Sequence, residues 1–273
     1  MADLPEPSHG ETHVALVSGG MDSTAAAHVA VTEHGVGLLV YLDTGTGLES
    51  NRQYVEDLAD ELDAHLWTLR TRESYAEIVT THGFPGPRDH PVLYRRLKER
   101  PLERLATTVG GRGQGEGLHL WTGVRRRESR NRMGRVTPVQ EADRWTWVAP
   151  LAEWTKNQVC EHIAENDLPE NPLWADLGRS GDCFCGFYGS PAELLDLRAA
   201  GEDEHADWLE NLEGLVEDEL ADDVDQAHRL LWAWGGMTES ERRAVRAELD
   251  PSQAMLCSTC GNGTTPRTEG GPL

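Results

Sequence analysis

The apolar run Val14-Ala15-Leu16-Val17 stops abruptly at Ser18-Gly19-Gly20-Met21-Asp22-Ser23, and an alanine-rich stretch then continues to Val31. A short buried strand, a glycine turn and a helix in immediate succession constrain this chain more than any other feature. Glycine allows the tight turn, and the helix behind it presents its positive end and unsatisfied N–H groups toward that turn. Amides and hydroxyls gathered in this way hold phosphate or sulfate. The loop therefore places an anion, and by extension a nucleotide, near the front of the chain. Its candidate contacts are Ser18, Gly19, Gly20, Asp22 and Ser23.

Further apolar runs follow at Val36–Leu42, His65–Leu69, Leu118–Thr122 and Trp145–Val148, separated by helical patterns. Alternation of this kind predicts an α/β fold with a parallel sheet, a Rossmann-like layer sandwich. Ligands of such sheets sit beyond the carboxyl ends of the strands, which singles out the loops 18–23, 43–50 and 123–132. Residues 1–12 are polar, contain two prolines and read as a flexible arm before a nucleotide-binding domain at 13–190. Beyond it an acidic helical extension (Ala192–Ala200, Ala206–Val216, Gln226–Trp234, Glu239–Leu249) runs to Cys260, and 261–273 read as a disordered tail. No run of 18 apolar residues is present and the N-terminus lacks a secretory pattern, so no membrane contact and a cytoplasmic location are expected.

The formal net charge of −22 is carried with only two lysines, Lys98 and Lys156, against 23 arginines. Exposed carboxylates with so little lysine point to adaptation to high salt, as in haloarchaea. Yet 15 of the 25 basic residues lie between Arg70 and Arg135. A basic middle in an acidic chain implies a polyanionic ligand and leaves direct nucleic-acid binding open.

The glycine loop is neither a Walker A loop nor a dinucleotide fingerprint, because Gly-Lys-Ser/Thr and Gly-x-Gly-x-x-Gly are both missing. Ser-Gly-Gly-x-Asp-Ser instead resembles the pyrophosphate loop (PP-loop) of the adenine-nucleotide α-hydrolase superfamily. Later segments resemble the phosphoadenosine phosphosulfate (PAPS) reductase family: Leu42-Asp43-Thr44-Gly45, Gly83-Phe84-Pro85-Gly86-Pro87, Leu97-Lys98-Glu99-Arg100-Pro101, Gly123-Val124-Arg125 with Glu128 and Arg132, and Leu168-Pro169-Glu170-Asn171-Pro172. The resemblance spans residues 13 to about 187. It implies a Rossmann-like, HUP-type domain that binds an adenine nucleotide, ATP or PAPS. It also implies that Asp43 and Thr44 meet the adenine or ribose side. Lys98 is a candidate point contact to an oxyanion, and Arg125, Arg127 and Arg132 are further anion contacts, with Glu128 orienting an arginine. Lys98 and Arg125 are the candidate catalytic residues.

The cysteines leave the reaction open. Cys183-Phe184-Cys185 and Cys257-Ser258-Thr259-Cys260 are two close pairs, which in a cytosolic chain read as a four-thiolate metal site. Cys160 reads as a small core residue. The resemblance favours a [4Fe–4S] cluster, as in the related DNA phosphorothioation enzymes, with zinc as the alternative. The Glu-Cys-Gly-His segment that ends thioredoxin-coupled reductases is missing. Reduction of a phosphosulfate, with a thiol or an electron-donor protein as partner, therefore stands beside two other readings. One is an ATP pyrophosphatase that adenylates a substrate for sulfur transfer and needs Mg²⁺. The other is a non-catalytic nucleotide-sensing subunit.

Overall fold

Alternate residues of the central strand β1 (Thr12–Val17) face opposite sides, and each set meets its own helical layer. The computed structural model describes residues 4–7, 10–109, 117–128, 135–187, 189–190, 192–220, 228–238 and 240–241. Ala15 and Val17 pack with the alanine face of α1 (Met21–His34) and with Val55 and Leu58 of α2 (Glu49–Glu61). Val14, on the other face, packs with Val40 of β2 (Leu38–Asp43) and with Leu102, Leu105 and Ala106 further along the chain. The small side chains of α1 let it lie close to the strands. Gly35, at φ 67°, ends that helix and donates to the Val31 carbonyl at 3.1 Å.

After β3 (His65–Arg70) and α3 (Tyr75–His82), one long helical run carries α4 (His90–Tyr94), a π-turn at Arg95–Glu99 and α5 (Arg100–Val109). Pro101 explains the π-turn. It has no N–H for the Leu97 carbonyl and its ring crowds that turn, so the backbone widens and Arg100 N–H bonds back to Arg95. The chain then returns to the middle of the sheet as β4 (Leu118–Trp121), followed by β5 (Val139–Glu141) and β6 (Thr146–Val148). The sheet order is β3-β2-β1-β4-β6-β5, parallel except for the β5–β6 pair. Helix α6 (Lys156–Glu165) adds Val159 and Ile163 to the α1 side. The molecule is therefore a mixed α/β layer sandwich. The strand order reverses between β1 and β4, where such sheets open a crevice.

The five strands that the apolar runs predict are all present. The sixth, β5, is a three-residue edge strand, exposed throughout, that leaves no apolar signature. A second core joins α3 to α7 (Leu173–Asp176), α8 (Glu193–Ala199) and α9 (Asp203–Leu220) through Tyr75, Leu173, Phe184, Leu197, Leu209 and Trp232. Helices α8 and α9 match the expected spans Ala192–Ala200 and Ala206–Val216, whereas the described part of Gln226–Trp234 is not an α-helix. It forms short 3₁₀ turns, with Ala233 at φ 57°. There the Trp232 and Trp234 indoles donate to the Phe184 and Phe84 carbonyls at 2.9 and 2.8 Å, and tertiary anchoring overrides helical propensity. Most of Glu239–Leu249 lies outside the described residues. Among the described residues no helix is long and apolar enough to cross a membrane. Cys160 is exposed on α6 rather than buried in the core, because it lies off the Val159–Ile163 stripe that faces α1.

Candidate functional site

The Ser18–Ser23 loop connects β1 to α1 at the strand-order reversal, and its geometry follows from where its carbonyls are tied. The Asn171 amide and the Trp174 indole donate to Gly19 O at 3.1 and 2.8 Å, and the Asn51 amide donates to Ser18 O at 3.1 Å. With the carbonyls held on that side, the loop turns its other face to the crevice. Gly19 sits at φ 79°, and a Cβ there would lie 2.0 Å from Asn51 Oδ1. Ser23 Oγ accepts from Ser18 N–H at 3.2 Å and donates to Gly20 O at 2.9 Å. Gly20, the N-cap of α1, supplies no side-chain cap, so the first-turn amides face the loop without one.

A cavity of about 490 Å³ opens in front of this loop. Ser18, Asp22, Ser23, Lys98 and Glu128 all line it, together with Tyr41, Tyr94, Thr122, Gly123 and Asp182. Burial pushes the Tyr41 phenol up to about 12, so it stays protonated. Gly123 is where β4 meets the start of α1, and a Cβ there would fall 2.4 Å from the Asp22 backbone.

Arg125, Asp43 and Thr44 stand behind the lining. Arg125 is buried, and its Nε and Nη2 donate to Asp22 Oδ2 at 2.9 and 2.8 Å, while Lys156 Nζ lies 3.4 Å from Asp22 Oδ1. Arg125 thus holds the first turn of α1 instead of facing the cavity. Asp43 is 4% exposed and accepts from Arg70 Nε and Gly45 N–H at 2.8 and 2.9 Å. Thr44, also buried, bonds Thr46 and the Asp182 carbonyl. These two residues brace the loop after β2. Arg127 is exposed on a 3₁₀ turn, and Arg132 lies outside the described residues.

Three contributors were not singled out by sequence: Asp182, Thr46 and the Asn51–Asn171 pair. Asp182 Oδ2 is 3.0 Å from Lys98 Nζ, and its Oδ1 accepts from Ser180 Oγ at 2.8 Å. Against the cost of burial, Asp182 and Cys183 carry the Lys98 ammonium above its ordinary value, so it is a fixed positive charge. Asn171, between two prolines, was the available signal, because an amide locked there suits hydrogen bonding to a nearby backbone.

Cys183 and Cys185 follow Asp182 in a turn flanked by Gly181 and Gly186, both at φ 73°. Thr46 Oγ1 donates to Cys183 Sγ at 3.5 Å. The bond from Cys185, opposed by burial and helped by Lys98 and Thr46, makes Cys183 the more acidic thiol, and Cys185 is pushed up correspondingly. Two cysteines are half of the four-thiolate set that a zinc or iron–sulfur site takes. Among the described residues these two meet no third His, Cys, Asp or Glu in metal-ligating geometry, and Cys257 and Cys260 lie outside the described residues.

The cluster that does meet that geometry is Glu11, His13 and His119, at the opposite end of β1 and β4. The Trp121 indole donates to His13 Nδ1 at 3.1 Å, which leaves the proton of this imidazole on Nε2, 3.6 Å from Glu11. A protonated nitrogen has no lone pair for a metal, and the His13 and His119 rings stack at 4.2 Å across the two strands. The cluster is a cross-strand staple.

The comparisons concern the same part of the chain. Residues 12–185 match the model of the phosphoadenosine phosphosulfate reductase domain. The phosphoadenosine 5'-phosphosulfate reductase of Xylella fastidiosa (strain M23) is 26% identical over 174 residues, covering 61% of this chain and 69% of that protein. The enzyme of the same name from Xanthomonas axonopodis pv. citri is 25% identical over 171 residues, covering 61% and 68%. A crystal structure of phosphoadenylyl-sulfate reductase from Candida auris, a phosphate complex, aligns with a TM-score of 0.45 at 20% identity, over 61% of this chain and 78% of that one. The matched residues run from β1 through both cavity walls to Cys185, and the chain belongs to the phosphoadenosine phosphosulfate reductase domain family.

Proposed function

We infer that the chain binds an adenine phosphosulfate nucleotide in the β1–β4 cavity and reduces its sulfo group to sulfite. One observation carries this reading: the residues matched to the reductase family include the Ser18–Ser23 loop, Lys98 and its partner Asp182, which meet around one cavity.

In this reading the loop amides and the Ser18 and Ser23 hydroxyls take the phosphate and sulfate oxygens. The Lys98 ammonium offsets the charge that grows on the leaving phosphate as the sulfur–oxygen bond breaks. Arg125 acts as a positioning residue through Asp22. Asp43 and Thr44 fix the loop beneath the nucleoside, and Arg127 and Glu128 stand at the rim. A thiol or an electron-donor protein returns the reducing equivalents. The −22 charge fits an enzyme working in concentrated salt.

The test is anaerobic incubation with 3'-phosphoadenylyl sulfate and a dithiol, measuring sulfite. Sulfite release in proportion to enzyme is expected. Pyrophosphate released from ATP without sulfite would overturn the reading in favour of an adenylating sulfurtransferase. Nucleotide binding with neither product would mark a sensor.

A further inference from the structure

The helical run that turns Lys98 toward the β1–β4 cavity turns another face toward a second one. Arg96, Arg100 and Arg104 recur every four residues and share that face, whereas Lys98 lies two residues from Arg96 and from Arg100, on the opposite side. Here a cavity of about 630 Å³ opens, bounded by Thr71-Arg72-Glu73 after β3, by Thr107 and Thr108 of α5, and by Arg144 between β5 and β6. The two cavities have no lining residue in common. We propose that the second cavity binds a condensed phosphate, a chain of two or three phosphoryl groups that is free or is the tail of a nucleotide. The proposal stands independently of the phosphosulfate reading above.

Charge is the first argument. Five arginines line this cavity against two glutamates, Glu73 and Glu103, in a chain of formal net charge −22. The carboxylates are loosely held. Glu73 Oε2 is 3.5 Å from Arg96 Nη1, and Glu103 Oε1 is 3.9 Å from Arg144 Nη1. Both separations exceed the roughly 2.7–2.9 Å of a close charge-assisted bond. The Arg72 and Arg100 guanidiniums meet no carboxylate among the described residues. Unmatched positive charge gathered in a concave site concentrates anions there.

The lining narrows the class of anion. It consists of arginine, glutamate and threonine alone, so an aromatic base or an acyl chain has no apolar wall to lie against. The threonine hydroxyls are already spent on the backbone. Thr71 donates to the Glu73 carbonyl, and Thr107 and Thr108 donate to the Glu103 and Arg104 carbonyls, both at 2.8 Å. Arg104 in turn donates one N–H to the Arg70 carbonyl. Recognition falls to the guanidinium forks, whose paired N–H groups match phosphate oxygens. One phosphate is too small and too weakly charged to meet guanidiniums from three separate segments. A condensed phosphate reaches Arg72 and Arg100 together and draws Arg96 and Arg144 from their distant carboxylates.

The experiment titrates tripolyphosphate by calorimetry into the full-length wild type, the double variant Arg72→Gln/Arg100→Gln, and Lys98→Ala, at one fixed salt concentration. Both substituted arginines are exposed, so the double variant is expected to fold, and thermal unfolding checks this. The wild type is expected to show a binding component that Lys98→Ala keeps and that the double variant weakens at least about tenfold. Titration of ATP then distinguishes the two sources. Uptake at the arginine-dependent site admits nucleotide tails, and uptake of tripolyphosphate alone restricts the site to the free chain. Orthophosphate bound there as tightly as tripolyphosphate would overturn the condensed-phosphate assignment. No binding by the wild type would overturn the proposal outright. Equal binding by wild type and double variant would do the same, since the anion would then sit in the β1–β4 cavity.

Discussion

The Arg125 guanidinium donates through Nε and Nη2 to one carboxylate oxygen of Asp22, joining the turn after β4 to the first turn of α1. Arg125 is buried, whereas Asp22 is partly open, neighbours Lys156 and sits at a helix N-terminus that favours negative charge. The two ends of the pair are therefore unequal. Asp22→Ala strands a buried cation and is expected to cost about 3–5 kcal/mol. Arg125→Met leaves a carboxylate with other support and is expected to cost about 1–2 kcal/mol. Urea unfolding of the two variants measures the difference, and a larger loss for Arg125→Met would contradict it.

The glycines of the crevice divide by what a methyl group would meet. Gly19 combines φ 79° with a Cβ position 2.0 Å from Asn51 Oδ1, and Gly123 would press on the Asp22 backbone, which cannot swing aside. Gly19→Ala is expected to lose about 1–2 kcal/mol from the positive φ alone, and both alanine variants should bind nucleotide at least about tenfold more weakly. Gly214, inside α9, has nothing within 4 Å, and Gly214→Ala is expected to raise stability by about 1 kcal/mol with unchanged binding. Thermal unfolding and titration calorimetry on the three proteins report both quantities.

The parts of the site that sequence made legible are those whose chemistry is local. Ser18–Ser23 lies on six consecutive residues, and Lys98 stood out because lysine is so scarce. Five strands were legible because each buried strand is a continuous apolar run, while β5 buries nothing and leaves no pattern. What escaped was pairing across the chain. Lys98 and Asp182 are 84 residues apart, and Asn51 and Asn171 are 120 apart. Spacing also could not say which way an arginine points. Arg125 turns inward to Asp22, while Arg127, two residues on, is exposed.

Two groups on α9 should give stability opposing dependences on pH. Burial raises Glu213 to about 7 from 4.5, although it accepts the Trp232 N–H at 2.7 Å. In the interval between those values the folded state holds the extra proton, so this group's stabilisation is lost as pH rises. Burial lowers His205 to about 4 from 6.5, so the unfolded state holds the extra proton over that interval and stability grows with pH. The slopes largely cancel in the wild type. Glu213→Gln, which keeps an acceptor for Trp232, should unmask a rise of stability between about pH 4.5 and 6.5, and His205→Gln a fall between about pH 5 and 7. Chemical denaturation across that range measures both slopes, and equal slopes in the two variants would refute the pairing.

Salt should stabilise the whole chain. Forty-seven acidic residues against 25 basic ones leave a surface whose self-repulsion is screened as the Debye length shortens, from about 10 Å at 0.1 M to about 3 Å at 1 M. The melting temperature is expected to climb between 0.1 and 2 M KCl, with most of the gain by about 1 M, where screening is nearly complete. A flat or falling melting curve would remove the argument for high-salt adaptation.

Lys98 separates binding of an anion from upkeep of the cysteine turn. Its ammonium lies 3.0 Å from Asp182 at the cavity wall, so a bound phosphate or sulfate competes with that carboxylate for one cation. Lys98→Ala removes a charged hydrogen-bond donor and is expected to weaken binding of adenosine 3',5'-bisphosphate by about 10- to 100-fold, the equivalent of about 1.5–3 kcal/mol. Asp182→Asn removes the competitor but leaves the cation, and is expected to bind the same nucleotide at least as tightly as wild type. Lys98→Arg should not restore binding, because a planar fork cannot occupy the point contact that the π-turn provides. Titration calorimetry on the three variants decides the matter. Equal losses in Lys98→Ala and Asp182→Asn would mean that the ion pair only braces the turn, and that the anion is held by the Ser18–Ser23 loop without it.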